Sequence, residues 1–323
     1  AYVRWLKEER GVEQVVWLGN SGGGSLGGLY QAQAKASADQ RIARTPGGRP
    51  TALRDAVMPA FDAMMITAAH TGQGLIMNEV IDPSVVDESA PLLTNPEIDM
   101  YDPANGFRPA PQWSEYDPAF VRRYRAAQIE RVARIDARAR ALIAEQMDAE
   151  ATRTDPAFAG LPAPRQRAVL QRAAFQPVMT VYRTMANPNY VDRHLDPSNR
   201  GYGCLLSDRP DLMNFQLTGF GRIQTPDAWL STWSGLSSNA NLLRNGHAIT
   251  EPVVVVNAGR DMDVYPQTHS RAIFDALAST DKTYIDFPMA LHYFEPDAGE
   301  ADNAGAQEQM AQLLPWLQER APL

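Results

Sequence analysis

The chain carries a single cysteine, Cys204, among its 323 residues. That excludes an internal disulfide framework and any cysteine-rich zinc site. Lysine is almost as scarce. Lys7, Lys35 and Lys282 are the only ones, so nearly all positive charge is arginine. No apolar run approaches the ~18 residues that a membrane-spanning helix needs. A basic face is missing as well: 30 basic and 38 acidic side chains leave a net charge of −8, which argues against nucleic-acid binding. The five histidines are not paired with one another or with the cysteine at metal-ligand spacing, so no metal is expected. Internal repeats and low-complexity tracts are lacking too.

What is present is the composition of a globular protein, 44% hydrophobic and 21% charged, enough to bury a large core. The length allows roughly two or three units of ~100–200 residues. Residues 1–10 read as helix and 12–18 as a buried strand. A glycine-rich turn follows, then a helix from Ser25 to about Ser37, and a second buried strand over 61–69. Strand, glycine turn, helix and strand make the rhythm of a parallel α/β sheet. The rhythm stops at about 81. Residues 82–116 read as a long ordered loop. Asp117-Pro118 is a helix start, an N-cap followed by proline at N1. Helices are expected from there to about 151, over 164–184, and in one or two short pieces over 226–245. The arginines of 121–140 alternate with acids and read as a solvated face. The rhythm returns with the strand Val253–Asn257, a helix over 267–278, a strand over 283–287 and a last helix over 304–319.

One motif carries chemistry. Gly19-Asn20-Ser21-Gly22-Gly23 matches G-x-S-x-G between a strand and a helix, the context that motif requires. The turn holds the serine hydroxyl out at the end of the sheet. The N–H of Gly22, at the start of a helix, points where an oxyanion would form. A serine nucleophile needs a general base, and the base needs an orienting acid. Asp261 and Asp263 follow the strand at 253–257, and His292 follows the strand at 283–287. Each lies just past the C-terminal end of a strand, where open α/β sheets place their sites.

The stretches GNSGGGSLG, NAGRDMDVYP and ALHYFEP resemble the α/β-hydrolase superfamily, and within it bacterial serine esterase-like members with a large helical lid. IDPSVVDE at 81–88 and YDPANGF at 101–107 are similar to segments of such a lid. The resemblance implies an α/β fold: a hydrolase core of mostly parallel sheet flanked by helices, over 1–80 and 246–323, with a mainly helical lid over 81–245. It implies Ser21 as nucleophile, His292 as base and Asp261 as the orienting acid. Asp261 is preferred because in similar stretches the acid lies five residues before the proline of the Tyr-Pro pair, with Asp263 as the alternative. It further implies strands ahead of the elbow, one of whose loops supplies a second oxyanion donor. Only twenty residues precede Ser21. A separate or cleaved N-terminal segment is therefore expected to complete the sheet.

Other readings compete with these. Ser21 taken alone also fits the N-cap of a helix in a glycine turn, a reading that the Asp and His at matching later strand ends disfavour. Gly22-x-Gly24-x-x-Gly27 spells a dinucleotide fingerprint, but residues 31–50 are polar and Asp39 ends no strand. No lysine follows the glycines, which excludes a phosphate P-loop. His70, at the end of its strand, and Asn20, inside the elbow, are the candidate substrate contacts. His194 could reach substrate from the lid, His247 lies on the wrong side, and His269 is expected to be solvated. The activity expected is hydrolysis of a small or medium, partly apolar carboxylic ester through an acyl-enzyme, without cofactor, in the cytoplasm. Acyl transfer, amide and thioester cleavage use the same triad. A non-catalytic, hydrolase-like binding protein is the reading from a different class. With an ordinary histidine as base, activity would fall near pH 6.5.

Overall fold

The computed structural model describes residues 2–299 and 303–321. The chain enters through α1 (Tyr2–Glu8) and β1 (Val16–Asn20), turns at Ser21 and continues as α2 (Gly22–Lys35). β2 (Ala63–Thr67) and α3 (Gln73–Val80) follow. A long stretch then carries α4 (Pro118–Thr154), α5 (Ala163–Ala174), β3 (Met179–Thr180), α6 (Pro210–Met213), β4 (Ile223–Gln224), α7 (Pro226–Ala228) and α8 (Leu242–Asn245). The chain closes with β5 (Val253–Ala258), α9 (Ala272–Ala276), β6 (Lys282–Phe287) and α10 (Ala304–Arg320).

Four strands form one parallel sheet in the order β1-β2-β5-β6. β2 and β5 are buried at every residue, as their mostly apolar sequences require of central parallel strands. Successive side chains go to opposite faces. Met64, Ile66, Val253 and Val255 pack against Leu242, Ile249, Ile273 and Leu277 on one side. Met65, Val254 and Val256 pack against Leu313 and Trp316 of α10 on the other. Helices on both faces of a parallel sheet make this an α/β fold. Because all four strands run the same way, their C-terminal ends share one rim, at Asn20, Thr67, Ala258 and Phe287. Among the described residues β1 pairs with β2 alone, and Leu18 on it is 58% exposed.

The residues between α3 and α8 build a second apolar cluster around Tyr124, Ile135, Met185, Tyr190 and Trp229. α4 starts where its sequence says. The Asp117 carboxylate accepts from the N–H groups of Ala119 and Phe120, with Pro118 next. The arginine face of α4 is only partly solvated. Arg131 is fully buried and bonds Glu88 through Nε and Nη2, both at 2.8 Å. Arg183 likewise sits buried against Asp82, Ser84 and Thr94. Charge-assisted pairs of this kind fix the loop 82–116 with few regular elements.

The helix expected over 164–184 is shorter than its pattern. α5 stops at Ala174, and Met179–Thr180 pairs antiparallel with Ile223–Gln224. Pro177 has no N–H to continue a helix and restricts the residue before it. Val178, Thr180 and Val181 then favour extended backbone. The helical character of 81–245 is concentrated in α4 and α5, and residues 175–222 run mostly through turns.

Candidate active site

Ser21 lies at the end of β1 with φ 54° and ψ −124°. A side chain is rarely tolerated there, and such a backbone stores on the order of 1–3 kcal/mol. The Ser21 N–H donates to the Thr67 carbonyl at 3.2 Å, which pins the turn to the neighbouring strand. Ser21 occupies the N-cap position of α2, yet its hydroxyl makes no capping bond. The capping reading therefore has no hydrogen bond behind it.

The glycines of the turn are not equivalent. A Cβ on Gly19 would lie 2.6 Å from the carbonyl carbon and oxygen of Gly23, and one on Gly24 would lie 2.6 Å from Ala69 Cβ. One on Gly23 would meet nothing within 4 Å. Only the first glycine of G-x-S-x-G is sterically required, together with Gly24 outside the motif. Gly19→Ala should lose about 1–3 kcal/mol by overpacking. Gly23→Ala should gain about 0.5–1 kcal/mol, because alanine suits a helix better than glycine. Denaturant unfolding of the two variants checks this, and equal losses would contradict it.

Asp261 follows β5 and His292 follows β6. His292 Nδ1 is 2.5 Å from Asp261 Oδ2, and both side chains are buried. Asp261 Oδ1 accepts from the N–H groups of Asp263 and Val264, each at 2.9 Å. With Nδ1 against a carboxylate, the ring proton belongs on Nδ1 and leaves Nε2 as the free acceptor. Asp263 faces elsewhere. Its Oδ2 accepts from the Leu205 N–H at 2.9 Å. Burial pushes its carboxyl up to about 6, and the charge of Asp261 adds to this. Burial alone would lower the pKa of His292, but the hydrogen bond and charge of Asp261, then Asp263 and Glu295, hold it above its ordinary value.

Ser21 and His292 line one cavity of about 150 Å³, with His70, Gln73 and Asp263 as its other polar walls. Ile76, Val264, Tyr293 and, from the long stretch before α8, Leu205, Leu206 and Phe220 supply the apolar walls. Sequence reasoning missed Gln73. It opens α3 three residues after His70, so a short turn after a strand end is the signal that could have found it. Asn20 is not a cavity wall. Its amide donates to the carbonyls of Thr67 and His292, both at 3.2 Å, and so ties the end of β1 to the loop after β6. His194 and His247 are exposed and do not line this cavity. His269 is fully buried, not solvated. Its Nδ1 accepts from the Tyr265 N–H at 2.8 Å, and its Nε2 sits 3.3 Å from Glu79 Oε2. It falls on a π-helical turn, Pro266–Arg271, where a 3.6-residue period misplaces side chains.

A larger cleft of about 1030 Å³ runs along α4 by Arg123, Glu130 and Arg134, but it gathers no serine, cysteine or histidine. Asp39 lies in a short turn, Ala38–Gln40, and ends no strand, so the dinucleotide pattern lacks its acid. No cluster of three metal-ligating side chains and no helix long and apolar enough to cross a membrane occur among the described residues. Comparison with known protein families, curated proteins and solved structures finds no match for this chain.

Proposed function

We propose that this chain is a serine hydrolase of the α/β-hydrolase type that cleaves short, uncharged carboxylic esters through an acyl-enzyme. One observation carries the reading: a histidine bonded to a buried aspartate opens onto the same cavity as a strained serine whose hydroxyl caps nothing. The strand order supports it. Nucleophile, acid and base follow β1, β5 and β6 and meet at one rim. The stretch 81–245 acts as the lid, since Leu205, Leu206 and Phe220 close the cavity from that side.

His292 Nε2 takes the Ser21 proton as Oγ attacks the carbonyl carbon. Asp261 fixes the ring and stabilises its charged form. The Gly22 N–H, at the start of α2, faces the developing oxyanion. His292 then protonates the leaving alcohol, and water releases the acid by the same steps. The cavity sets the size of the acyl group. Its volume is about 150 Å³. That is well below the ~300–1,000 Å³ of pockets for drug-sized ligands. No lysine or arginine lines it and Asp263 does, which disfavours an anionic acyl group.

Treatment with a fluorophosphonate followed by intact-mass and peptide analysis tests the proposal. One adduct on Ser21, absent from Ser21→Ala, is expected. A folded protein that takes no adduct would refute it.

A further inference from the structure

Beyond Thr67 the backbone takes φ 40° at Ala68, and His70 then enters the wall of the cavity with 6% exposure. Its two ring nitrogens face different surroundings. Nδ1 is buried with no hydrogen-bond partner. Nε2 faces the start of α2: a Cβ on Gly22 would lie 3.4 Å from it and 3.3 Å from Gln73 Oε1. The proton belongs on Nε2, beside an acceptor and the cavity, because a buried N–H without an acceptor is the rarer and costlier orphan. Burial pushes the pKa of His70 down to about 3, and the neighbouring imidazoles of His269 and His292 push the same way against Glu79 and Gln73. The ring is neutral, and its only free acceptor is sealed from the cavity. It cannot serve as the base.

We infer that His70 is a catalytic residue whose Nε2–H, together with the Gly22 N–H, binds the oxygen that becomes negative when Ser21 attacks. The inference rests on the reading of Ser21 as nucleophile. No proton leaves His70 in the step. The Ser21 Oγ–carbon bond forms, the carbonyl π pair moves to oxygen, and the Oγ proton goes to His292. A neutral imidazole can polarise a carbonyl in this way while keeping its proton. Gln73 Oε1 lies near the same face of Gly22 and lines the same cavity. His70 would then fill the role of second donor that the resemblance assigns to a loop ahead of the elbow.

Phenyl acetate hydrolysis by His70→Ala and His70→Asn tests this. His70→Ala should lower kcat about 10²- to 10³-fold, the effect of losing one oxyanion donor, with KM within about threefold of wild type. His70→Asn, which keeps an N–H₂ donor, should recover at least about tenfold of that loss. An unchanged kcat, a loss confined to KM, or an asparagine variant no better than alanine would overturn the inference. A second readout uses the wild type and so does not depend on the variants folding. With ¹⁵N-labelled histidine and a trifluoromethyl ketone bound at Ser21, the His70 Nε2–H proton should move downfield as the hemiketal oxyanion forms. An unmoved resonance on a formed adduct overturns the role of His70 alone. If the wild type neither hydrolyses phenyl acetate nor forms the adduct, the reading of Ser21 falls, and His70 with it.

Discussion

Replacing Ser21 with alanine should lower kcat/KM for a short-chain phenyl ester by about 10⁴- to 10⁶-fold, the range seen when a triad nucleophile is removed. The fold should survive. The hydroxyl makes no capping bond, so its removal orphans no partner. The backbone at this residue gives a second readout. With φ at 54°, any side chain pays a steric penalty that glycine escapes. Ser21→Gly should therefore be more stable than Ser21→Ala by about 1 kcal/mol, while both lack turnover. Thermal unfolding and ester hydrolysis on the three proteins check both parts. Alanine retaining activity would place the nucleophile elsewhere. Alanine losing several kcal/mol of stability would make Ser21 a structural residue.

Much of this site is legible in the sequence because its parts are local. A continuous apolar run such as Val253–Val256 fixes a buried strand without reference to anything distant. The same holds for the elbow after β1 and for Asp117-Pro118 at the head of α4. Pairings across long separations are not legible in this way. Val256 lies beside Thr67 in the sheet, and nothing local states it. The choice between Asp261 and Asp263 is another such case. Both follow the same strand, and only the loop closure by the Asp263 and Val264 N–H groups on Asp261 Oδ1 turns the other oxygen toward His292. The failures have the same origin. Arg131 reads as solvated from its charge, but Glu88 and the carbonyls of Asp82 and Tyr182 compensate its burial. His269 is displaced by a π turn that no composition signals.

The division of labour between the two aspartates gives the second large effect. Asp261→Asn should reduce kcat/KM about 10⁴-fold, as loss of the correct imidazole tautomer does. The direction follows from the hydrogen bonds. Two backbone N–H groups point at Oδ1 and need an acceptor, so the asparagine carbonyl turns to them and its N–H₂ faces His292 Nδ1. The ring proton then moves to Nε2, and the nitrogen that should accept the Ser21 proton no longer can. Asp263→Asn removes only a neighbouring charge and should cost less than about tenfold, since its bond to the Leu205 N–H survives in the amide. Its signature is in the pH profile. The base must be neutral, and its pKa stands above 6.5 because Asp261, and then Asp263 and Glu295, outweigh burial. Activity in the wild type should thus be lost as pH falls through a value above 6.5. Taking away the Asp263 charge lowers that pKa, and the acid limb moves to lower pH. The shift shrinks below pH 6, where Asp263 itself becomes protonated. Measuring kcat/KM from pH 5 to 9 on both variants separates the roles. A 10⁴-fold loss in Asp263→Asn with a mild effect in Asp261→Asn would reverse the assignment, and an acid limb that stays put in Asp263→Asn would remove its electrostatic hold on His292.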